Sequence, residues 1–460
     1  MLSFDRSSTH LVFRHSRRLS RPKRSSATPK GRYAIASKLR VKILYISQYF
    51  PPEMGAPAAR AGELAHHWAR AGHDVSVLTG FPNHPTGVVP PEWRARLRRL
   101  TCHEKIDSVN LYRTWLWPLP NRKSHERMRN YASFCFSAAL RGLTLPRPDV
   151  IIASSPQLLV GLSGWWLAFT RQIPFIFEVR DLWPESLSAV GIGDKDSFLH
   201  QALAAIAKFL YERSDRIVVV TPAFKKYLIE HWRVPAEKID IVENGVETEL
   251  FAPAPARSNR ALRQHLGAEA KFLASYIGTI GNAHGLETLL GAAAQLQHQD
   301  PDILFLLIGE GAEKERIKTL AHSRGLTNVR FLDQQPRPQI PNFISAADAC
   351  LVLLKKTDVF KTVIPTKMLE FMSCARPVIV GVDGQARQIV EDADAGLVIE
   401  PENADALRAA IQQLAANREL ASALGQKGRE YILRNFSRLR TAEKYIEVLR
   451  RVVKSPPPTD

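Results

Sequence analysis

The most constraining feature of this sequence is an alternation of short apolar runs with helical patterns, which begins near residue 40 and restarts in the second half. Residues 41–47 (VKILYIS) have the β-branched, apolar character of a buried strand, and a helical pattern follows at 58–71. A second series starts at 272–277 (FLASYI) and continues at 303–308 (ILFLLI). Such alternation is typical of parallel sheets covered by helices on both faces. The sequence therefore predicts an α/β protein with two Rossmann-like domains that face each other across a cleft.

The chain divides into four predicted parts. We expect a disordered basic tail over residues 1–40, an N-terminal Rossmann-like domain over 41–245, and a C-terminal Rossmann-like domain over 246–430. A final segment, 431–460, is expected to hold a helix that crosses back to the N-terminal domain, followed by a tail.

The formal net charge of +18 is confined to two stretches. Residues 1–40 hold eleven Lys and Arg against one Asp, and residues 93–141 hold eleven against three acids, which accounts for all of it. The first stretch is rich in Ser and Arg, so we expect it to be either a dispensable tail or a targeting segment. A nucleic-acid binder would need a continuous basic stripe, so no nucleic-acid partner is expected.

The second stretch contains a helical pattern at residues 124–142, preceded by Trp115 and Trp117. Its start is crowded with basic residues: Arg122, Lys123, Arg127 and Arg129. Cationic side chains beside aromatic rings suit the headgroup layer of an anionic membrane, and peripheral contact is expected here. An ordinary packed helix with a solvated basic end is the alternative. No apolar run is long enough to predict a spanning helix.

Glycine turns follow three predicted strands, at Gly55, at Gly278 to Gly281, and at Gly309 to Gly311. Glycine accepts positive φ and lets a phosphate approach backbone N–H groups at a helix start.

The segment 362–380 (TVIPTKMLEFMSCARPVIV) carries the most chemistry. Pro365 leads into a short helix on which Thr366 and Glu370 share a face. Thr366 and free N–H groups can bind an anion, Lys367 adds positive charge, and Glu370 can accept two hydroxyls of a ribose. A surface helix without function is the alternative.

The sequence resembles a known family: the glycogen-synthase-like, retaining glycosyltransferases with the GT-B fold (glycosyltransferase family 4). Within it the chain is most similar to bacterial surface-polysaccharide transferases that act on N-acetyl-fucosamine or related sugars. The resemblance covers about residues 41–452. It rests on residues 49–53 (YFPPE), 80–85 (GFPNHP), 178–185 (EVRDLWPE), 243–246 (ENGV) and 364–367 (IPTK) with Glu370.

The resemblance implies that the C-terminal domain holds a nucleotide-sugar donor. Glu370 matches the second glutamate of the family's E-x7-E motif, which holds the ribose, while Gly309 and Glu310 match the region around the base. The loops beside the diphosphate correspond to Gly55 and to the stretch with Gly278, Thr279 and Asn282.

The chain departs from the family pattern at several of these positions. The first glutamate falls on Thr362, the Arg and Lys after the Gly278 strand fall on Thr279 and His284, and the catalytic-loop His falls on Arg180. Lys361 and Lys367 are expected to supply the missing positive charge.

We expect His84, Arg180, Asp181 and Lys367 to take part in catalysis, with His84 or Asp181 orienting the acceptor hydroxyl or taking its proton. The Asp392-Ala393-Asp394 stretch resembles a metal-binding motif, but it lies in a helix-end turn beside Gly396 and is interpreted as surface. No metal and no other cofactor is therefore expected. Lys367, Lys361 and helix N-termini would stabilise the leaving diphosphate.

By resemblance, the expected function is transfer of an N-acetylamino or deoxy hexose from a nucleotide diphosphate donor, by family expectation UDP, with retention. The acceptor would be a lipid-linked sugar or polysaccharide of surface-polysaccharide or O-antigen biosynthesis. Four widely spaced cysteines without a Cys-x-x-Cys pair fit the cytoplasm, at the inner face of the bacterial plasma membrane. The alternatives are a nucleotide-sugar 2-epimerase, which needs no acceptor, and a non-catalytic GT-B scaffold subunit.

Overall fold

The computed structural model describes residues 40–84, 86–119, 124–185 and 197–454. The tail expected over residues 1–40 therefore lies outside the described residues, apart from Arg40. Arg122 and Lys123, two of the four basic residues expected at the membrane, also lie outside them.

The first sheet has eight strands in the order β3-β4-β2-β1-β5-β6-β7-β8. The strands are β1 (Lys42–Ile46), β2 (Asp74–Gly80), β3 (Thr101–Ile106), β4 (Val109–Thr114), β5 (Val150–Ser154), β6 (Phe175–Val179), β7 (Arg216–Val219) and β8 (Ile239–Ile241). Its helices are α1 (Ala56–Arg70), α2 (Pro91–Leu97), α3 (Ser124–Leu143), α4 (Val160–Arg171), α5 (Phe198–Arg213) and α6 (Pro222–Trp232). The pairing is parallel except between β3 and β4.

The second sheet has six parallel strands in the order β11-β10-β9-β12-β13-β14. The strands are β9 (Phe272–Ile277), β10 (Ile303–Ile308), β11 (Val329–Leu332), β12 (Ala349–Leu353), β13 (Val378–Gly381) and β14 (Gly396–Val398). The helices from here to the end are α7 (Ala256–His265), α8 (Glu287–Gln299), α9 (Lys314–Ser323), α10 (Ile340–Ala346), α11 (Thr366–Ser373), α12 (Gln385–Ala393), α13 (Ala404–Ala416), α14 (Arg418–Asn435) and α15 (Arg438–Lys454).

The central strands are continuous apolar runs because helices cover both of their faces. All six residues of β9 and all six of β10 are buried. The predicted α/β class with two parallel sheets is confirmed. None of the helices in the described part of the chain is both long and apolar enough to cross a membrane.

The chain passes between the two sheets twice, and the two crossings are hydrogen-bonded to each other. The Val246 N–H donates to the Phe436 carbonyl (2.9 Å), and the Arg438 N–H donates to the Val246 carbonyl (2.8 Å). After the second crossing, α15 packs on α1, where the Trp68 indole donates to the Ala442 carbonyl (3.2 Å) and lies edge-on to Tyr445. The last helix therefore contributes to the core of the first sheet.

A buried ion pair fastens α1 to the end of β6. The side chains of Arg60 and Glu178 are 1% and 0% exposed, and their closest atoms are 2.8 Å apart. Tyr45 and Ser154 donate to the second carboxylate oxygen, and Arg60 also donates to the Val242 carbonyl. Burial opposes ionisation of Glu178, but its cationic neighbours and hydrogen bonds outweigh burial and lower its pKa. Every charge-bearing group of this pair is thus compensated inside the core.

We predict that Arg60→Ala lowers the free energy of unfolding by about 3–5 kcal/mol, because the Glu178 carboxylate would be left buried and unpaired. Arg70→Ala, at the exposed end of the same helix, is the matched control and should change it by less than about 0.5 kcal/mol. Urea unfolding monitored by circular dichroism measures both. Equal midpoints for the two variants would show that the buried pair contributes no stability.

Candidate active site

Two helix N-termini without side-chain caps begin at the carboxyl ends of the sheets. The first, α1, starts after Gly55, which has φ 127°, and the second, α11, starts after Pro365. Neither residue before the helix offers a capping side chain, so the N–H groups of the first turn keep their partial positive charge. Both ends are therefore suited to bind an anion.

The glycine loops after β9 and β10 lie side by side. The Ile280 N–H donates to the Glu310 carbonyl (2.9 Å), and a Cβ on Gly309 would collide with the Gly278 carbonyl oxygen. Gly309 also has φ 151°, so both its conformation and its space require glycine. Glycine at this position therefore lets the two loops pack backbone to backbone, with the side chain of Lys367 beside Gly278.

Three other residues that the sequence predicts to bind the sugar donor already have hydrogen-bond partners within the protein. The Thr279 carbonyl accepts from the Tyr276 hydroxyl (2.6 Å), and the Asn282 amide oxygen accepts from Lys355 (2.5 Å). Glu310 pairs with Lys314 (2.5 Å). These groups shape the loops, and a ligand would meet the loop backbone or would have to replace the existing contacts.

Lys367 places a buried amine beside these loops. Its Nζ lies 4.0 Å from the centre of the Tyr276 ring, next to Gly278, and has no hydrogen-bond partner among the described residues. Burial lowers the pKa of Lys367 to about 7. Burial and then the charge of Lys367 lower the pKa of His284 to about 3, so this histidine is neutral. An anion in this position would restore the charged form of the lysine.

Glu370 lies one turn after Thr366 and is almost fully buried. Its Oε1 accepts from Arg337 (3.0 Å), and burial raises the pKa of its carboxyl despite the nearby guanidinium. Lys361 is half exposed and pairs with Asp358 (2.7 Å). Of the two lysines expected to replace the missing cations, Lys367 is therefore the one that lies against the glycine loop.

Thr362 lies where the two domains meet. Its hydroxyl donates to the Val359 carbonyl (2.6 Å), and its own carbonyl accepts from the hydroxyl of Thr221 at the start of α6 (2.9 Å). This position therefore provides a contact between the domains, with its side chain turned to its own backbone.

Arg180 supplies a second buried cation, at the start of α1. Its Nη2 lies 3.4 Å from the Ala56 carbonyl, and its backbone N–H donates to the Ser155 hydroxyl. Two further nitrogens, Nε and Nη1, are buried without a partner in the described part of the chain. Burial and then the charge of Arg60 lower the pKa of Arg180. An anion at this end of α1 would meet unsatisfied donors.

A cavity of about 360 Å³ lies between the domains. Its lining is largely aromatic and apolar, with one histidine, one arginine and one aspartate among its residues: Tyr49, Met54, Pro57, Ala58, His84, Arg127, Tyr131, Pro156, Gln157, Asp181, Trp183, Phe224, Val359, Phe360 and Val363. The cavity brings together His84 and Asp181, as the sequence predicted for catalytic loops facing one cleft. Arg127, expected at a membrane surface, faces this cavity instead.

The two candidate acid–base residues have different charges at neutral pH. Burial lowers the pKa of His84 to about 4 and raises the pKa of Asp181 to about 6. The His84 loop is held by Glu53, whose Oε1 accepts from the N–H groups of Asn83 (2.9 Å) and His84 (3.0 Å). At pH 7 the cavity therefore contains a neutral imidazole and a carboxylate that can accept a proton.

Sequence reasoning missed Arg337 and Glu53 as site residues. Arg337 begins a 3-10 turn just after the loop that follows β11, and its position beyond the carboxyl end of a strand could have identified it. Asp392 and Asp394 are exposed and bond to Gln388 (2.7 Å) and Lys427 (2.5 Å), as expected for surface residues.

Comparison with known proteins places family domains on both sheets. Residues 55–245 match the glycosyl transferase 4-like domain, and residues 258–431 match the glycosyl transferases group 1 domain. The putative colanic acid biosynthesis glycosyl transferase WcaI of Escherichia coli K12 is 25% identical over 385 residues, which cover 81% of this chain and 92% of that protein.

Solved structures show the same fold. Sucrose-phosphate synthase from Thermosynechococcus elongatus superimposes with a TM-score of 0.73 at 22% identity, covering 90% of this chain and 99% of its own. Anabaena HepE in complex with UDP gives 0.65 at 18% identity, covering 89% and 100%. Together with the two domain matches, these similarities show that the chain belongs to the family-4-type glycosyltransferases with the GT-B fold.

Proposed function

We propose that this glycosyltransferase moves an N-acetylamino or deoxy hexose from a UDP-linked donor to a lipid-linked sugar or polysaccharide at a membrane surface, with retention and without a metal. The observation that carries the proposal is the buried amine of Lys367, which lies beside a glycine loop, at the start of α11 and one turn before Glu370. This is the arrangement that a nucleotide diphosphate needs: positive charge, free backbone donors and a carboxylate for its ribose.

Two comparisons support the choice of donor. HepE, which shares the fold, has been crystallised with UDP and with UDP-glucose, which favours uracil as the base here. The resemblance implies that the family's first E-x7-E glutamate contacts hydroxyls of the donor sugar, and Thr362 stands in its place with its hydroxyl bonded to Val359. A sugar that lacks some hydroxyls suits this substitution.

The reaction develops negative charge on the leaving diphosphate as the bond to the sugar breaks. Lys367 and the N-terminus of α11 would stabilise that charge from one domain, and Arg180 with the N-terminus of α1 from the other. Because these cations would stabilise the charge of the leaving diphosphate, the proposed reaction needs no metal ion. Asp181, ionised at pH 7, would accept a hydrogen bond from the acceptor hydroxyl or take its proton, with the neutral imidazole of His84 beside it.

The acceptor would occupy the aromatic cavity. Its rings offer faces on which a sugar can stack, and Arg127 supplies a cation for an acceptor phosphate. The first turns of α3, with Arg127 and Tyr131, line this cavity. The same helix continues roughly 18 Å beyond Tyr131, to Leu143. A lipid-linked acceptor could therefore be recognised along one element.

The far end of α3 carries an exposed apolar face. Phe136 (66% exposed), Leu140 and Leu143 follow a helical spacing, and α4, which packs against α3, exposes Trp166 and Phe169 (67%). Exposed basic residues, among them Arg129 and Arg147, border this face. Apolar side chains ringed by cations are typical of peripheral membrane contact. This face, rather than the start of α3 alone, is the proposed membrane surface.

The alternatives make different products. A 2-epimerase converts the donor without any acceptor and has no use for a large aromatic cavity beside Asp181. A scaffold subunit has no use for buried cationic nitrogens that find no hydrogen-bond partner in the described residues, such as Nζ of Lys367 and Nε and Nη1 of Arg180. Incubation with donor alone, followed by chromatography of the nucleotide-sugars, separates the epimerase from the transferase.

We predict that UDP binds in EDTA and that Glu370→Ala weakens this binding by about 1.5–3 kcal/mol, the size of a lost charged hydrogen bond. Titration calorimetry with UDP, GDP and ADP measures the affinity. Glu315→Ala, on the exposed face of α9, is the matched control and should bind like the parent. Unchanged affinity in Glu370→Ala would remove Glu370 from the site, and binding only with added magnesium would refute metal independence.

We predict that UDP affinity falls as the pH rises from 7 to 9. The pKa of Lys367 is about 7 in the ligand-free protein, and a bound diphosphate would raise it, so binding takes up a proton above pH 7. The loss approaches about tenfold per pH unit. Calorimetry in two buffers of different ionisation enthalpy measures the proton uptake, which Lys367→Met should abolish. A pH-independent affinity in the parent would show that the amine does not meet the diphosphate.

We predict that replacing Phe136, Leu140 and Phe169 by Ser lowers binding to anionic vesicles at least about tenfold, since each side chain contributes about 1 kcal/mol on burial. The matched control replaces Leu433 and Leu439, exposed leucines of α14 and α15, by Ser. Vesicle cosedimentation measures the bound fraction. If the triple variant sediments like the parent and the control, this face is not the membrane surface.

A further inference from the structure

Four charged side chains form an alternating chain that links the two domains. Arg337 donates to Glu370 with Nη1 (3.0 Å) and to Glu63 with Nη2 (2.6 Å). The second oxygen of Glu63 accepts from Arg438 (2.8 Å). The two ends of one guanidinium thus hold two carboxylates, one from each domain, and we call these four residues the interdomain ion chain.

The interdomain ion chain leads from the proposed donor site to the place where the backbone crosses between the domains. Glu370 is the residue proposed to hold the ribose, and Glu63 lies in the middle of α1. Arg438 is the first residue of α15 and donates its N–H to Val246, which belongs to the other crossing. Three contacts therefore connect the proposed ribose carboxylate to this crossing.

The surroundings hold Arg337 in this bridging position. Its guanidinium lies 4.9 Å from the centre of the Phe251 ring, and the side chains of Glu63 and Glu370 are largely shielded from water. Burial opposes the charge of Arg337, but Glu370 and Glu63 outweigh it and raise its pKa. A planar guanidinium can serve two carboxylates at once in a fixed geometry. If the domains separated, Arg337 would lose Glu63 and the geometry that orients Glu370 would relax.

We propose that Arg337 and Glu63 are positioning residues that couple donor binding to domain closure: Arg337 orients the Glu370 carboxylate for the ribose, and Glu63 maintains that orientation only while the domains are together. The proposal rests on the donor role of Glu370 given above. By thermodynamic linkage, whatever closure contributes to nucleotide affinity, the nucleotide contributes to closure.

An ion pair that does not touch Glu370 or the other domain provides the control. Glu243, beside the first crossing, pairs with Lys444 of α15 at 2.8 Å. This pair has the same 2.8 Å length as the Glu63–Arg438 contact and lies beside the same crossing, but its side chains are more exposed (48% and 31%). Glu243→Gln therefore makes the same substitution near the crossing at an ion pair that has no connection to the ribose carboxylate.

The test compares the full-length parent, Glu63→Gln, Arg337→Lys and Glu243→Gln. Calorimetry with UDP gives affinity, small-angle X-ray scattering gives the radius of gyration with and without UDP, and thermal unfolding confirms that each variant is folded. We expect Glu63→Gln to expand the UDP-free protein and to lower UDP affinity at least about fivefold, because part of the binding free energy must then close the domains. UDP should return it toward the compactness of the parent.

Steady-state rates with varied donor separate positioning from general damage. Glu63→Gln should raise the donor KM at least about fivefold and leave kcat near that of the parent, since saturating donor closes the domains. Arg337→Lys keeps the charge but loses the guanidinium that bonds both carboxylates, so it should change the donor KM and kcat as Glu63→Gln does. The donor KM of the double variant should be no higher than the higher of the two single-variant values. Glu243→Gln should match the parent in all three measurements.

Each contrary outcome has a distinct meaning. If the parent binds UDP and Glu63→Gln binds it equally well without expanding, the coupling is absent while the proposed function stands. If the effects of the two single variants simply add, Glu63 and Arg337 act independently and the proposal is wrong. If the folded parent binds none of UDP, GDP or ADP, the donor site itself fails, and the coupling fails with it.

Discussion

The buried ion pair between Arg60 and Glu178 is the interaction on which the first half of the site depends. Glu178 comes two residues before Arg180, so fixing its carboxylate against α1 also fixes the loop that carries the buried cation. Arg60 additionally donates to the carbonyls of Val242 and Glu243, just before the chain crosses to the other domain. One fully satisfied charge pair thus sets the position of the β6 loop, the start of α1 and the first crossing.

The cations of the site are less completely bonded, because several of their nitrogen atoms have no hydrogen-bond partner in the described part of the chain. Arg180 and Lys367 each bury nitrogen atoms that find no hydrogen bond in the described residues, and burial without compensation costs free energy. In the core the same chain satisfies Arg60 completely. The contrast between the fully bonded Arg60 and the incompletely bonded Arg180 and Lys367 is best explained by a ligand that brings negative charge to the site.

The sequence predicts those parts of the fold and of the site that have a local sequence pattern. Strands such as β9 and β10 were predicted because both faces are buried and their apolar runs are unbroken. The β3–β4 hairpin was missed, since β3 is a largely exposed edge strand with a polar sequence inside a basic stretch. The glycine turns and Glu370 were visible as motifs. Arg337 belongs to no local motif, because its role depends on Glu63, which only the folded arrangement of the two domains brings beside it.

Helix α1 contributes residues to the core, to the contact between the domains and to the proposed donor site. The start of α1, at Gly55, faces the proposed diphosphate, Arg60 enters the core, Glu63 reaches the other domain, and Trp68 meets the C-terminal helix. Because an α-helix moves as a rigid rod, a displacement at Glu63 is transmitted to Gly55, roughly 12 Å away. The contact that senses the ribose carboxylate and the N-terminus that would stabilise the leaving group therefore cannot move independently. If the proposed coupling holds, closing the domains would bring Glu63 to Arg337 and the N-terminus of α1 to the diphosphate in one step.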